Sequence, residues 1–283
     1  MAKGKYDFGW YMVAFLDVQG QREKFRKLKV PTTDTEAQAV SEVVLETAGF
    51  VDSLRDQLRE ELRDFEERVS KSWGLRVSLQ PKFTAFSDSL VVSIPLWNVD
   101  DLTSITTIYS VLSAACTAMM TCFSKRHALR GGIEIGLASE LESGEVYGTA
   151  LLEAYLLESC EAKYPRIVIG DELWKFLSIG VSECDSKKAH ELEKICAVIK
   201  KSVEFTCSDA DGRRVLDYLG KFVKSIALPG TASNVIEPAY KFVVAEHEKW
   251  IANGDAKLGQ RYALLRKYFE SRLPLWELPI TLS

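Results

Sequence analysis

Two aspartates stand where apolar runs stop. The stretch GWYMVAFLDVQG reads as a buried strand over Trp10–Leu16 with Asp17 at its end, followed by Val18 and, after Gln19, by Gly20. Farther along, Leu75–Phe86 and Leu90–Leu96 alternate in character and are joined by Ser87-Asp88-Ser89, which predicts a β-hairpin with Asp88 at its tip or just past it. Each aspartate has an ordinary structural use: Asp17 can cap the helix that starts near Gln21, and Asp88 can simply form a turn. Together they have a chemical one. Carboxylates leaving two neighbouring strand ends, with the Val18 carbonyl and the close backbone approach that Gly20 permits, can hold a pair of Mg²⁺ or Mn²⁺ ions on a triphosphate. The turn Gln21-Arg22-Glu23-Lys24 then offers N–H groups and positive charge to the phosphates.

Such carboxylates need a scaffold, which the hydrophobic pattern outlines. From Asp34 to Val69, Ala39, Val43, Val44, Ala48, Val51 and Leu54 recur at three- and four-residue steps, predicting a long helix with a potential break at Gly49 and a salt-laced, solvated second half. Asp101 to about Arg126 is apolar nearly all round and reads as a buried helix, N-capped by Asp100 or Asp101, with Met119-Met120 as core filling. Leu129–Leu137 is a core strand opening on a double glycine, Gly144–Gly148 a turn or short edge strand, and Thr149–Ala162 a helix. A short strand at Ile167–Gly170 leads into a helix capped by Asp171-Glu172 and running to about Leu177. Beyond it come a helix at Ser186–Ser202, a hairpin of Phe205–Cys207 and Arg214–Tyr218 around Asp209–Gly212, a loop at Ala227–Ser233, and helices at Ala239–Asn253 and Ala256–Ser271. This order predicts an α+β fold: a mixed sheet flanked by helices over residues 1–178, with a mostly helical C-terminal extension over 179–283 partly packed on it.

Composition narrows the function classes. At 283 residues and 47% hydrophobic, the chain can bury a sizeable core. Its 36 Lys and Arg against 40 Asp and Glu give a net charge of −4 with no basic tail, which disfavours nucleic acid as an obligate partner. Six cysteines, at 116, 122, 160, 184, 196 and 207, include no CxxC pair and no His at zinc spacing, and most fall inside apparent helices or strands, so they read as reduced core residues of a cytoplasmic protein. The opening MAKGKYDFGW lacks the apolar stretch of a signal peptide, and Val111–Phe123 and Phe222–Leu228 read as too short or too interrupted to span a membrane.

Four blocks in order and spacing resemble the catalytic domain of class III nucleotide cyclases: FLDVQGQ, FSDSLVVS, LRGGIEIG, and GEVYGTALLEAYLLE followed by AKYPRIVIG. In detail they look most like the pyrimidine-specific cyclases of bacterial Pycsar antiphage systems. The resemblance covers roughly Tyr11–Gly170. It implies a class III cyclase-like sheet, two divalent cations (Mn²⁺ or Mg²⁺) held by Asp17, Asp88 and the Val18 carbonyl, and nucleotide contacts from Phe15, Gly20, Gln21 and Arg22. It also implies a head-to-tail homodimer, each site shared across the interface.

The departures bear on substrate. Purine cyclases of this class usually carry a base-recognising Lys or Glu four residues before the second metal aspartate, where this chain has Thr84; the partner position, three residues before Gly148, is Glu145. Phe86 is either the ring that packs on the base or plain core. The Asn and Arg that face the transition state in purine cyclases fall at Leu152 and Leu156, which cannot donate hydrogen bonds, leaving Arg166, Lys163 or Arg130 as substitutes, with Arg166 favoured. The resemblance thus implies a cyclase acting on UTP or CTP, more often UTP in this family, whose cyclic product signals to a separate effector in antiphage defence. The alternative is a nucleotide-binding regulatory module without turnover. A diguanylate cyclase or palm-polymerase relative is disfavoured by the missing GGDEF-like motif.

Overall fold

A computed structural model describes residues 8–26, 28–73, 78–96, 102–142, 144–186 and 193–280. Its centre is strand β1 (Phe8–Val18), which the sequence places because Tyr11–Ala14, Leu16 and Val18 bury side chains on both faces. β1 pairs antiparallel with β3 (Ser89–Leu96) on one side and with β4 (Leu129–Glu140) on the other. β2 (Lys82–Phe86) forms the expected hairpin with β3, its two-residue turn being Ser87-Asp88. β4 runs parallel to β6 (Ile167–Ile169), β5 (Val146–Gly148) adds to the far end of β4, and a hairpin of β7 (Thr206–Ser208) and β8 (Arg214–Leu216) extends the sheet beyond β6. The eight strands make one mixed sheet in an α+β fold, as the order of apolar runs predicts.

Strand alternation sorts the side chains onto two faces. Met12, Ala14, Leu16 and Val18 face the main core, built with helices α2 (Asp34–Trp73), α3 (Leu102–Ser124), α8 (Glu237–Ala252) and α9 (Ala256–Arg272). Tyr11, Val13 and Phe15 face a smaller cluster covered by α4 (Thr149–Leu156). The main core unites the strands with the C-terminal helices, so that Phe123 of α3 stacks among Tyr218, Phe242 and Phe269. α3 is long and apolar enough over Ser104–Ser124 to cross a membrane by length and composition, which the sequence reading did not anticipate; 78% of the qualifying window is buried inside this core.

Several boundaries differ from expectation for local reasons. α2 runs through Gly49 unbroken, since one glycine costs a helix only about 1 kcal/mol. Its full burial begins at Thr47, followed by Val51, Leu54, Leu58, Leu62 and Phe65 at three- and four-residue steps, while over residues 34–46 only Ala37, Val40 and Val43 are half-buried. The helix begun as α4 closes in a π-helical turn, Leu157–Glu161. α5 (Asp171–Ser186) outlasts Leu177, and its first turn is capped by Glu134, whose carboxylate accepts the N–H groups of Leu173 at 2.7 Å and Glu172 at 3.2 Å. The helix expected at Ser186–Ser202 is observed as α6 (Glu193–Glu204), and the expected loop at Ala227–Ser233 ends in a π-helical turn from Ala232. Asp100, Asp101 and Leu75 lie outside the described residues. One cysteine expectation is overturned: Cys184 and Cys196 form a disulfide, because α5 and α6 pack so that their Cα atoms lie 5.4 Å apart. Cys116, Cys122, Cys160 and Cys207 are free; Cys116 and Cys122 are buried as expected, whereas Cys160 is exposed on the helix end rather than in the core.

Candidate active site

Register brings the two aspartates together. Asp17 pairs with Ser89 of β3 and with Arg130 of β4, and the Val18 N–H donates to the Asp88 carbonyl at 2.9 Å. Side chains directly opposite one another share a face, so Thr84, Phe86, Ser89, Phe15, Asp17 and Arg130 all lie on the α4 side of the sheet. Ser89 Oγ donates to Asp17 at 3.1 Å, and the Gln19 amide bonds its other oxygen. After Gly20, whose φ of +91° favours glycine, the chain enters the six-residue helix α1 (Gln21–Arg26). Gln21 is 2% exposed, and its Nε2 has no hydrogen-bond partner among the described residues. The side chain of Arg22 lies outside what is described.

A further carboxylate and an arginine stand beside Asp17. Ala150, Ala154 and Glu158, spaced by four, form the buried side of α4 and its π-helical end. Gly132 makes that approach possible, because a Cβ there would run into the Ala154 carbonyl and Leu157. Glu158 is 4% exposed and takes the Arg130 guanidinium with both Nε, at 2.5 Å, and Nη2. Asp17 stands 3.6 Å from the same guanidinium. Burial pushes the Glu158 carboxyl above its ordinary range; Arg130 pulls it back down and the Asp17 charge pushes it further up. Ser89, Gln19 and Glu158 were missed by sequence reasoning. Glu158 did leave a signal, a carboxylate in step with two alanines on the buried side of an apolar helix.

Arg166, the favoured substitute at the sequence level, is placed elsewhere. It is 3% exposed and bound to Asp209 and Asp211 of the β7–β8 turn, with Nη2 also donating to the Glu161 carbonyl at 2.7 Å. Within this chain its guanidinium is held at that turn and makes no contact with Asp17; of the three candidates Arg130 is the one beside Asp17. Lys163 lies 4.0 Å from Asp211 and is drawn to that same turn. Glu145 is exposed in the turn between β4 and β5, about 35 Å along β4 from Arg130 at the usual strand rise. Within one chain it is therefore not part of the aspartate cluster. Leu152 and Leu156 are 54% and 37% exposed on the outer side of α4, and Phe86 is 54% exposed rather than core. A cavity of about 600 Å³, lined by Phe65, Tyr109, Met120 and Phe205 among others, opens on the α3 side and takes in none of these residues.

The donor set suits a hard divalent cation. Among the described residues no group of three or more His, Cys, Asp and Glu side chains is arranged to hold a metal. An ion here would rest on Asp17, Asp88 and backbone oxygen, with the remaining positions filled by phosphate and water, the usual pattern for Mg²⁺ on a nucleotide. Gln21 Nε2, four residues along from Asp17, is a buried donor that no described acceptor takes up.

No family model and no curated protein matches this chain. Among solved structures it is similar to the adenylyl cyclase CyaB from P. aeruginosa, at 14% identity and a TM-score of 0.37 over 62% of this chain and 83% of that one. It is likewise similar to the monomeric guanylyl cyclase domain of the RhoGC fusion protein from the aquatic fungus Blastocladiella emersonii, at 13% identity and a TM-score of 0.33, covering 62% and 90% of the two chains. A bacterial light-regulated adenylyl cyclase aligns at 13% identity and a TM-score of 0.34 over 77% of this chain and 95% of its own. Likenesses this distant leave the site to be read from its own geometry.

Proposed function

We propose that this chain is a pyrimidine nucleotide cyclase that converts UTP, or CTP, to the 3′,5′-cyclic nucleotide and pyrophosphate, with Mn²⁺ or Mg²⁺ at Asp17, Asp88 and the Val18 carbonyl. The observation that carries this reading is the placing of Asp17 at the end of β1 beside Arg130, with the next residue, Val18, donating its N–H to the Asp88 carbonyl of the β2–β3 turn. In the reaction the ribose 3′-oxygen attacks the α-phosphorus, the bond to pyrophosphate breaks, and the hydroxyl proton passes to solvent. Bound divalent cations would lower the hydroxyl pKa and offset charge on the leaving group. Arg130 adds positive charge where the phosphates would lie, and Gln21 adds a buried amide donor.

A homodimer completes the site in this proposal. Glu145, too far from Asp17 in its own chain, reaches the base of the partner's nucleotide, and the apolar outer side of α4 with Leu152, Tyr155 and Leu156 is covered in the assembly. Thr84 and Phe86 form the near wall of the base pocket. Uracil presents an N–H donor where cytosine presents an acceptor, so a site pairing one edge rejects the other. The product is a second messenger for antiphage defence, sensed by a separate effector.

Purified protein incubated with each labelled NTP and Mn²⁺ tests the reading. Cyclic UMP with pyrophosphate is expected, from UTP in preference to CTP at equal concentration. Mainly cyclic CMP overturns the uracil assignment, cyclic AMP or GMP overturns the pyrimidine assignment, and tight NTP binding without any product favours the regulatory module, for which the aliphatic Leu152 and Leu156 are the motivating observation.

A further inference from the structure

We infer that the cavity of about 600 Å³ on the α3 side of the sheet is a binding site for an organic amine, whose apolar ring body fills the cavity and whose ammonium meets Glu61. This goes beyond the cyclase reading and does not depend on it, because the cavity and Asp17 lie on opposite faces of the sheet. Its volume falls within the range of about 300–1,000 Å³ usual for small-molecule pockets. Its walls come from α2, α3, α6 and α7 (Lys221–Ile226), together with the π-helical turn from Ala232. Phe65, Met120, Phe205, Val223 and Val235 supply much of the apolar lining.

The polar groups of this cavity are set on α3. From Ser104 to Phe123 every residue of that helix is buried except Tyr109, Ser113, Thr117 and Thr121. All four carry hydroxyls, their four-residue spacing puts them on one side, and all four line the cavity. Thr117 donates to the Ser113 carbonyl at 3.3 Å and Thr121 accepts from Gln57 at 3.0 Å, whereas the Tyr109 and Ser113 hydroxyls make no hydrogen bond among the described residues. Glu61 faces this stripe from α2, between Gln57 and Phe65, whose ring centroid lies 5.5 Å from that of Tyr109. Its side chain is half-buried and has no hydrogen bond or ion pair among the described residues. Burial pushes its carboxyl above the ordinary range; Arg68 pulls it back down, and Asp64 and Glu60 push it further up. Asp64, Arg68 and Lys201 also line the cavity but are exposed, so solvent and salt screen them, and Glu61 is the charge turned inward. A ligand ammonium supplies the counter-charge that Glu61 lacks, and the rings of Phe65, Tyr109 and Phe205 pack on the body that carries it.

Three probes of one shape read this: naphthylmethylamine, cationic at neutral pH, naphthylmethanol, which is neutral, and naphthoate, an anion. Each is titrated calorimetrically into the full chain without nucleotide or metal. The amine should bind about tenfold more tightly than the alcohol, the scale of one charge-assisted hydrogen bond, and naphthoate more weakly than either. Glu61→Gln, which keeps the shape of the side chain, should weaken the amine about tenfold and the alcohol by less than about twofold. Ser113→Leu, which fills the cavity from the stripe, should abolish binding of both; if that variant does not fold, Glu61→Gln carries the test. An amine that binds no better than the alcohol, an amine affinity unchanged in Glu61→Gln, or no binding of any probe overturns the inference. Tightest binding of naphthoate moves recognition to Arg68 and Lys201 and overturns the amine class. None of these outcomes involves nucleotide turnover, so the cyclase reading stands or falls separately.

Discussion

Arg130 and Arg166 are near neighbours with opposite fates. The Gly131 N–H donates to the Arg166 carbonyl at 3.0 Å, so the two backbones run side by side, and each guanidinium meets a pair of carboxylates. Arg130 meets Asp17 and Glu158 at the open end of β1, where its side chain stays 17% exposed. Arg166 meets Asp209 and Asp211 on the β7–β8 turn, with 4% of its side chain exposed. Burial works against the Arg166 charge, yet the Asp211 and Asp209 hydrogen bonds outweigh it and hold its pKa above the ordinary value. The same chemistry thus forms the proposed site at one edge and a clamp at the other. What separates them is how far each guanidinium stays open to solvent.

The largest expected effect tests the open end. Asp17→Ala or Asp88→Ala should leave no detectable cyclic product while the melting temperature moves by less than about 4 °C, the equivalent of roughly 1 kcal/mol in a chain of this size; a folded variant with near-normal Mn²⁺-dependent turnover breaks the assignment. Arg130→Ala should cost about a hundredfold in turnover with little change in melting, and equal loss of stability and activity would erase the distinction from Arg166. Arg166→Ala should instead cost about 3–5 kcal/mol of stability by stranding Asp209 and Asp211, measured by urea unfolding, with activity per folded molecule preserved. A stable but inactive Arg166→Ala protein would restore that residue to the chemistry.

Two smaller effects sharpen the comparison. Leu152→Asp with Leu156→Asp should shift sedimentation from dimer to monomer and lower specific activity, because charge is placed on the exposed apolar side of α4; a dimer that survives both substitutions moves the interface elsewhere. The acid limb of stability should report the clamp. Hydrogen bonding from Arg166 holds the Asp211 carboxyl below its ordinary pKa. Its contribution is therefore fully present above the usual carboxylate range and lost as pH falls through the lowered value. Urea midpoints measured from neutral pH down to acid should show a steeper decline in the wild type than in Arg166→Ala, and identical slopes would mean that the pair contributes no linkage.

Much of this molecule is legible in one dimension. Apolar runs bounded by glycine and turn residues place β1, the β2–β3 hairpin and β4, and because strands that follow one another tend to pair, Asp17 and Asp88 could be expected side by side. Which arginine joins them was not legible, since a strand-end side chain is directed by its pairing register and by whatever carboxylates the fold brings near it. The partners of Arg166 lie some forty residues on, in a hairpin whose docking beside β6 is decided only by the assembled sheet. Glu158 and the Cys184–Cys196 disulfide share that origin: four-residue spacing marks a buried helix side, but the approach of α4 over Gly132 and the packing of α5 on α6 exist only once the layers have closed. Local pattern therefore determined the strands and the two aspartates, while tertiary packing decided which charges meet, because a charge taken out of water must find its partner wherever the fold supplies one.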